Sequence, residues 1–197
     1  MRTTIHRAAL PVLAALALSA CGYQSIPRSE NAVAAAWGEV ENQYQRRADL
    51  VPNLVETVKG YAAHEKETLE AVVAARAQAT QVKLSVDQLT PENMKRFEAA
   101  QGELRSALGR LLAVSENYPQ LKANENFRDL QAQLEGTENR IAIARRRYIE
   151  AVRGFNDLVT VPPTSWTNSL VYHKQPKAQF TATTENASQA PAVKFTK

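Results

Sequence analysis

The 197-residue sequence has a single cysteine, seven glycines and three histidines. One cysteine excludes an internal disulfide framework and a cysteine-based zinc site. The glycines stand singly, so no glycine-rich phosphate loop exists. No apolar run reaches the roughly 20 residues that a membrane-spanning helix needs; the longest, Ala8 to Ala20, has thirteen, interrupted by Pro11 and Ser19. Nor does any stretch alternate apolar and polar residues for long, which argues against strands. At 44% hydrophobic residues the chain is too apolar for wholesale disorder, and its length allows one ordinary domain with a tail.

What is present begins with an address. Arg2, His6 and Arg7 precede the apolar run, and the run ends in small residues, as in a secretory signal peptide at 1–20. Leu18-Ser19-Ala20-Cys21 resembles the bacterial lipobox at all four positions. That resemblance implies a diacylglycerol on the Cys21 sulfur, cleavage before it, a third acyl chain on the new amine and a lipidated tether over 21–28. One acyl chain anchors marginally, whereas two or three hold a protein stably on a bilayer. Gly22, where Asp is absent, resembles the signal for outer-membrane sorting in a Gram-negative envelope. The expected location is therefore a bacterial membrane, facing away from the cytoplasm.

The formal charge of +4 is unevenly placed. Without the leader 22 Lys and Arg face 20 acids, and the tail from Thr160 alone carries a net +3. The body is close to neutral, so nucleic acid is not an expected partner.

Between Pro27 and Pro162 the only prolines are Pro52, Pro91 and Pro119, and the intervening segments are rich in strong helix formers. This punctuation predicts four helices, near 29–48, 52–82, 91–117 and 124–159. In the last, Phe127, Leu130, Leu134, Thr137, Ile141, Ala144, Tyr148, Ala151, Phe155 and Leu158 recur at spacings of three and four, a heptad seam opened by an Asn124 cap. Thr90-Pro91-Glu92 is a start signal for the third helix. Gly60 to His64 is the expected weak point of the second. Short links favour antiparallel neighbours, so the fold class is all-α, an up-and-down four-helix bundle over 29–160 and roughly 45 Å long. The remainder, 161–197, reads as a basic tail. Trp166, Leu170, Val171 and Tyr172 are apolar enough to dock on the bundle end, and disorder is expected after 180.

Catalytic and metal motifs fail on inspection. His64-Glu65-Lys66-Glu67-Thr68 opens like the zinc-protease signature but has Thr68 where the second histidine belongs, and Tyr61 breaks a Glu-x-x-His pattern. No catalytic, metal or cofactor site is assigned. Ser115 sits among leucines, which argues for packing. The densest charge is Arg145-Arg146-Arg147 with Arg153 and Arg140. It reads either as a face for anionic lipid or an acidic partner, or as pairing across the bundle with Glu56, Glu65 or Glu138.

Four ordered motifs resemble the LemA family: Arg46 to Tyr61 with His64 to Leu69, Leu111 to Pro119, Leu121 to Phe127, and Leu134 to Arg145. The similarity spans roughly Asn31 to Pro162. It implies an all-helical, membrane-attached, envelope-facing domain with no established enzymatic activity, and envelope proteins, membrane proteases among them, as partners. The lipobox departs from the N-terminal transmembrane helix of many members. Within the motifs, Asn53, Glu56, Glu138, Asn139 and Arg140 form either a buried polar network that fixes register or a docking surface. The expected function is a non-enzymatic, lipid-anchored scaffold or adaptor, with self-association as a further use of an apolar face.

Overall fold

The computed structural model describes residues 3–180, with side chains from Tyr23 onward. The side chain of Cys21 and the stretch after 180 lie outside the described residues. Within them every regular element is helical: α1 (Thr3–Lys59), α2 (Lys66–Gln81), a 3₁₀ turn (Val86–Gln88), α3 (Pro91–Ser115), α4 (Pro119–Ala123), α5 (Glu125–Thr160), α6 (Thr164–Thr167) and one π-helical turn (Asn168–Tyr172). Cross-bundle pairs set the senses of the four principal helices. Trp37 of α1 meets Tyr148 of α5 at 5.3 Å between rings, and Arg47 meets Glu138, so α1 and α5 run antiparallel. Gln101 of α3 reaches Ala79 of α2, and Tyr118 reaches Glu65, so α2 and α3 are antiparallel too. The helices alternate up and down, as the short links predict.

The boundaries differ from expectation in three places: α1 starts at Thr3 rather than near 29, taking in the expected tether over 21–28, the short α4 occupies the link expected before the last helix, and the first two helices divide elsewhere. The helices expected at 29–48 and 52–82 are cut differently: α1 runs without interruption through Pro52 and ends at Lys59. A helix-interior proline cannot donate to the carbonyl four residues back, here Ala48. That carbonyl instead accepts from Arg76 Nε of α2 at 2.8 Å. Pro27 is treated the same way: the carbonyl it would leave bare, on Tyr23, accepts from the Tyr172 hydroxyl at 2.6 Å. Two distant side chains thus supply the donors that Pro27 and Pro52 remove from α1. The break falls at Gly60–Glu65, where Ala62 N–H bonds back to Val58 and the buried Ala62 side chain plugs the turn. This elbow is pinned to the α3–α5 connection. Asn124 donates to the Tyr61 hydroxyl at 2.9 Å, and the Tyr118 hydroxyl donates to Glu65 at 3.0 Å.

The start signals of α3 and α5 hold. Thr90 Oγ1 accepts from Asn93 N–H and Asn124 Oδ1 accepts from Phe127 N–H. Along α5 the buried seam follows the expected positions to Tyr148 and then moves to Val152, Phe155 and Val159 in place of Ala151 and Leu158. A straight α-helix drifts about 20° per heptad against a 3.5-residue repeat, and the one-residue slip is that drift made visible. Ser115 is buried as expected, its hydroxyl donating to Leu112.

Two apolar clusters fill the bundle. One joins α1 from Val51 onward, α2, the second half of α3, Leu121 and the start of α5. The other joins Ile26 to Tyr44 of α1, Ile141 to Val159 of α5, Leu84, Leu89, Met94, Phe97 and Phe180. Here α2 has ended, and its place is taken by the 82–90 link and by residues 172–180 returning along the bundle as a strap. Asn156 holds both the N–H and the carbonyl of Lys177, Ala178 N–H bonds to Leu89, and Tyr148 donates to the Ala178 carbonyl at 2.8 Å. Trp166, Leu170 and Val171 were expected to dock on the bundle end, but they stay 62%, 80% and 52% exposed. The docking is done by Thr167, Asn168, Tyr172 and Phe180, because Asn168 satisfies the Val159 carbonyl at the end of α5 and Phe180 fits the ring cluster.

Candidate functional site

The strongest polar feature lies where α3 and α5 part, in a groove of about 580 Å³ lined by Arg47, Glu98, Gln101, Arg105, Glu138 and Arg145 with their neighbours. Small residues keep it open: Gly102 on α3 and Ala142 on α5. Its floor is Arg47 from α1, with only 2% of its side chain exposed. Nη1 donates to Glu138 Oε1 at 2.8 Å, and Nη2 donates to the Gln101 carbonyl at 3.0 Å and to its Oε1 at 2.7 Å. The guanidinium also lies 5.0 Å from the Tyr44 ring centre. Gln101 in turn donates to the Ala79 carbonyl at 3.1 Å, in the last turn of α2, where helical partners run out. One buried arginine therefore ties α1, α3 and α5 together, with α2 held through Gln101.

The groove rim is charged in both signs. Arg105 Nε stands 3.8 Å from Glu138, and Arg145 stands 4.0 Å from Glu98 with its guanidinium 4.3 Å over Phe180 of the strap. Burial pushes the Tyr44 phenol above its ordinary value, and the charges of Arg145 and Arg47 pull against it without prevailing. Chemically the groove offers a fixed guanidinium–carboxylate pair at its floor, further charges of both signs at its rim and an apolar wall of Ile141 and Ile149.

The five motif residues expected to act together are dispersed. Glu138 belongs to the buried network and Asn139 lines the groove beside it, exposed. Asn53 and Glu56 are exposed on α1, where Glu56 faces Lys59 at 3.6 Å. Arg140 lies in a shallow depression with Arg46 and Asp129. The bundle thus builds its polar network from Arg47 and Gln101, which were not singled out, with Glu138. A signal for both existed. Val33, Trp37, Val40, Tyr44, Arg47, Val51, Leu54 and Val58 step by four and three without a break, as do Met94, Phe97, Gln101, Leu104, Leu108 and Leu111. A polar residue on such a seam must be buried with partners. Of the arginine cluster, Arg145 turns into the groove and pairs with Glu98 rather than with Glu56, Glu65 or Glu138. Arg146 lines the rim, while Arg147 and Arg153 are exposed on α5.

The LemA family model matches residues 36–195, which takes in the groove, the strap and both clusters except Ile26 and Val33. The chain belongs to the LemA family. It is 25% identical over 143 residues to Protein LemA of Metamycoplasma hominis, covering 73% of this chain and 60% of that one. It is 26% identical over 171 residues to Magnetosome protein MamQ 2 of Paramagnetospirillum magneticum, covering 78% of this chain and 63% of that one, and to MamQ 1 equally. The chain thus spans about three-fifths of the length of these relatives. Among the described residues no helix is long and apolar enough to cross a membrane, and no cluster of three or more His, Cys, Asp or Glu could hold a metal ion.

Proposed function

We propose that this LemA-family chain is a membrane-anchored, envelope-facing helical adaptor without catalytic activity of its own, which engages protein partners through the α3–α5 groove. The observation that carries the reading is the groove itself. Buried hydrogen bonds hold Arg47 and Glu138 in place at its floor, and rigid, pre-arranged groups bind at lower entropic cost than mobile ones. The anchor is the lipidated Cys21, in a bacterial membrane and, in a Gram-negative cell, its outer one. The partners are envelope proteins, membrane proteases among them.

Crosslinking and capture from native membranes, with partners identified by mass spectrometry, tests both parts. A partner that is captured by the native chain and lost with Arg105→Glu or Arg146→Glu supports the groove. Capture untouched by both substitutions rejects it. Processing and membrane retention that survive Cys21→Ser reject the lipid anchor.

A second reading has one observation in its favour: Arg146, Arg147 and Arg153 are exposed on α5. They would meet an anionic lipid or cell-wall component from the Arg145–Arg153 face. Salt-sensitive binding to phosphatidylglycerol vesicles, lost with Arg147→Glu, is its mark.

A further inference from the structure

Five of the eight large apolar side chains left exposed among the described residues gather at one end of the rod: Tyr23 (60%), Val161 (52%), Trp166 (62%), Leu170 (80%) and Val171 (52%). They are not on a loose segment. Asn168, itself buried, donates to the carbonyls of Val159 and Lys174 and accepts from Lys174 N–H. His173 closes the turn in a left-handed conformation, its N–H on the Asn168 carbonyl at 2.7 Å. The Tyr172 ring lies 5.9 Å from that of Tyr23, tilted against it, and its hydroxyl donates to the Tyr23 carbonyl. Lys174 and Lys177 clamp Glu30 at 2.9 and 3.3 Å. The fold therefore spends buried polar contacts to hold Trp, Leu and Val out in water, which is unfavourable unless a nonaqueous surface covers them.

The sequence says which surface is near. Tyr23 follows Cys21 by two residues and the apolar run Ala8–Ala20 by three. Whether hydrocarbon is attached as acyl chains on Cys21 or as that run, it is attached at this end. Trp and Tyr are the side chains that favour the headgroup level of a bilayer, and Leu and Val suit the layer beneath. We propose that α6 and its π turn, together with Tyr23, form a second lipid contact, with Trp166, Leu170 and Val171 seated in the interface between headgroups and acyl chains. This rests on the anchor reading above and extends it: one attachment lets a rod tumble, and two fix its tilt.

The chain carries its own probe. Of its two tryptophans, Trp37 is 2% exposed with its indole N–H on the Leu84 carbonyl, whereas Trp166 faces solvent. The full chain, purified from membranes with its native N-terminus, is reconstituted into phosphatidylethanolamine–phosphatidylglycerol vesicles with and without lipids brominated high in the acyl chain. Flotation reports the anchor, and tryptophan quenching reports the contact. The expected result is flotation with bromolipid quenching that disappears in Trp166→Phe and weakens in Leu170→Glu while flotation persists. Flotation with Trp166 unquenched and open to aqueous acrylamide overturns the contact and leaves the anchor standing. Failure to float overturns the anchor and the contact with it. Shielding of Trp166 from acrylamide before any lipid is added assigns the patch to residues 181–197 or to a second copy, and also overturns the proposal.

Discussion

At the Lys59 end, four helices close around buried Val, Leu and Ala with Phe127 as the one buried ring, whereas toward Tyr23 the core is Trp37, Tyr44, Phe97, Tyr148, Phe155 and Phe180. The difference follows from what is available to fill space. Where α2 is present, helix backbones are satisfied within the helices, with Arg76 of α2 supplying the one donor that Pro52 removes, and small aliphatic side chains interdigitate. Where α2 is missing, irregular segments bring unpaired carbonyls and wide gaps. Rings answer both needs, because all are large and Trp and Tyr carry a polar tip. Trp37 donates to Leu84 at 2.8 Å and Tyr148 to Ala178 at 2.8 Å, each bonding a non-helical carbonyl from within the core. The ring pairs Trp37–Phe97, Trp37–Tyr148 and Tyr148–Phe180 lie 5.2 to 5.3 Å apart, in tilted or edge-on geometry. Arg47 sits at the seam between the two regimes.

The contrast can be broken experimentally, most forcefully at its centre. Trp37→Ala is expected to cost about 3–5 kcal/mol in urea unfolding, the range for a large buried ring, and to lower exchange protection in both the 82–90 link and the strap. Leu104→Ala at the other end is expected to lose only about 2–3 kcal/mol, because no polar tip is removed. A reversed order would abolish the distinction. Arg47→Ala is expected to cost about 3 kcal/mol, the low end for a broken buried pair, because Glu138 keeps 34% of its side chain in water. Glu138→Gln should cost less, and a double-mutant cycle between Arg47 and Glu138 should show coupling.

Phe180→Ala sharpens the comparison differently. An integral core phenylalanine costs about 3–5 kcal/mol on truncation; the strap is expected to open separately from the bundle, which would limit the global loss to about 1–2 kcal/mol. The sign of that independence is early loss of protection at the Ala178 N–H, which bonds to Leu89. Acid should act at the same end. Burial works to raise the Glu30 carboxyl, but hydrogen bonds and charge from Lys174 and Lys177 outweigh it and hold it below its ordinary 4.5. A lowered carboxyl stabilises fully above its unfolded value and loses that contribution as pH falls through the folded one. The clamp is therefore expected to weaken below pH 4.5, by up to about 1 kcal/mol, and Glu30→Gln should remove this acid response from strap exchange. Glu41 has the opposite sign: burial raises its carboxyl, so acid relieves a penalty there. Smallest of all, Asn53→Ala and Arg140→Ala, both exposed, should shift stability by no more than about 0.5 kcal/mol.

Local rules read α5 almost completely, because its caps and seam are properties of neighbours in sequence. They failed at Pro52 for a reason that lies 24 residues further on: Arg76 supplies the donor that lets the helix continue. Proline at a first helical turn and proline sealed by a distant guanidinium look alike in sequence. The unbroken four-three stepping of Val33 to Val58 was the clue that the second applied. Glu138 was legible as a polar motif residue. Arg47 was hidden by Arg46 and Asp49, which give the segment the look of a charged surface. The strap was legible only as composition, since its hold on the bundle comes from backbone groups of Lys177 and Ala178 that carry no residue-specific signal.

The continuity of α1 sets a stand-off. From Tyr23 to Lys59, at 1.5 Å per residue, the helix measures about 55 Å, and the Gly60–Glu65 elbow is stapled to its far end. With Tyr23 at the bilayer surface and the rod upright, a partner embedded in that bilayer needs an extended segment of about 17 residues to touch the elbow, at some 3.3 Å each. Under the proposed anchoring a shorter segment would stop below the elbow, at a height set by its length, so the helix would double as a gauge of how far a partner projects from the membrane.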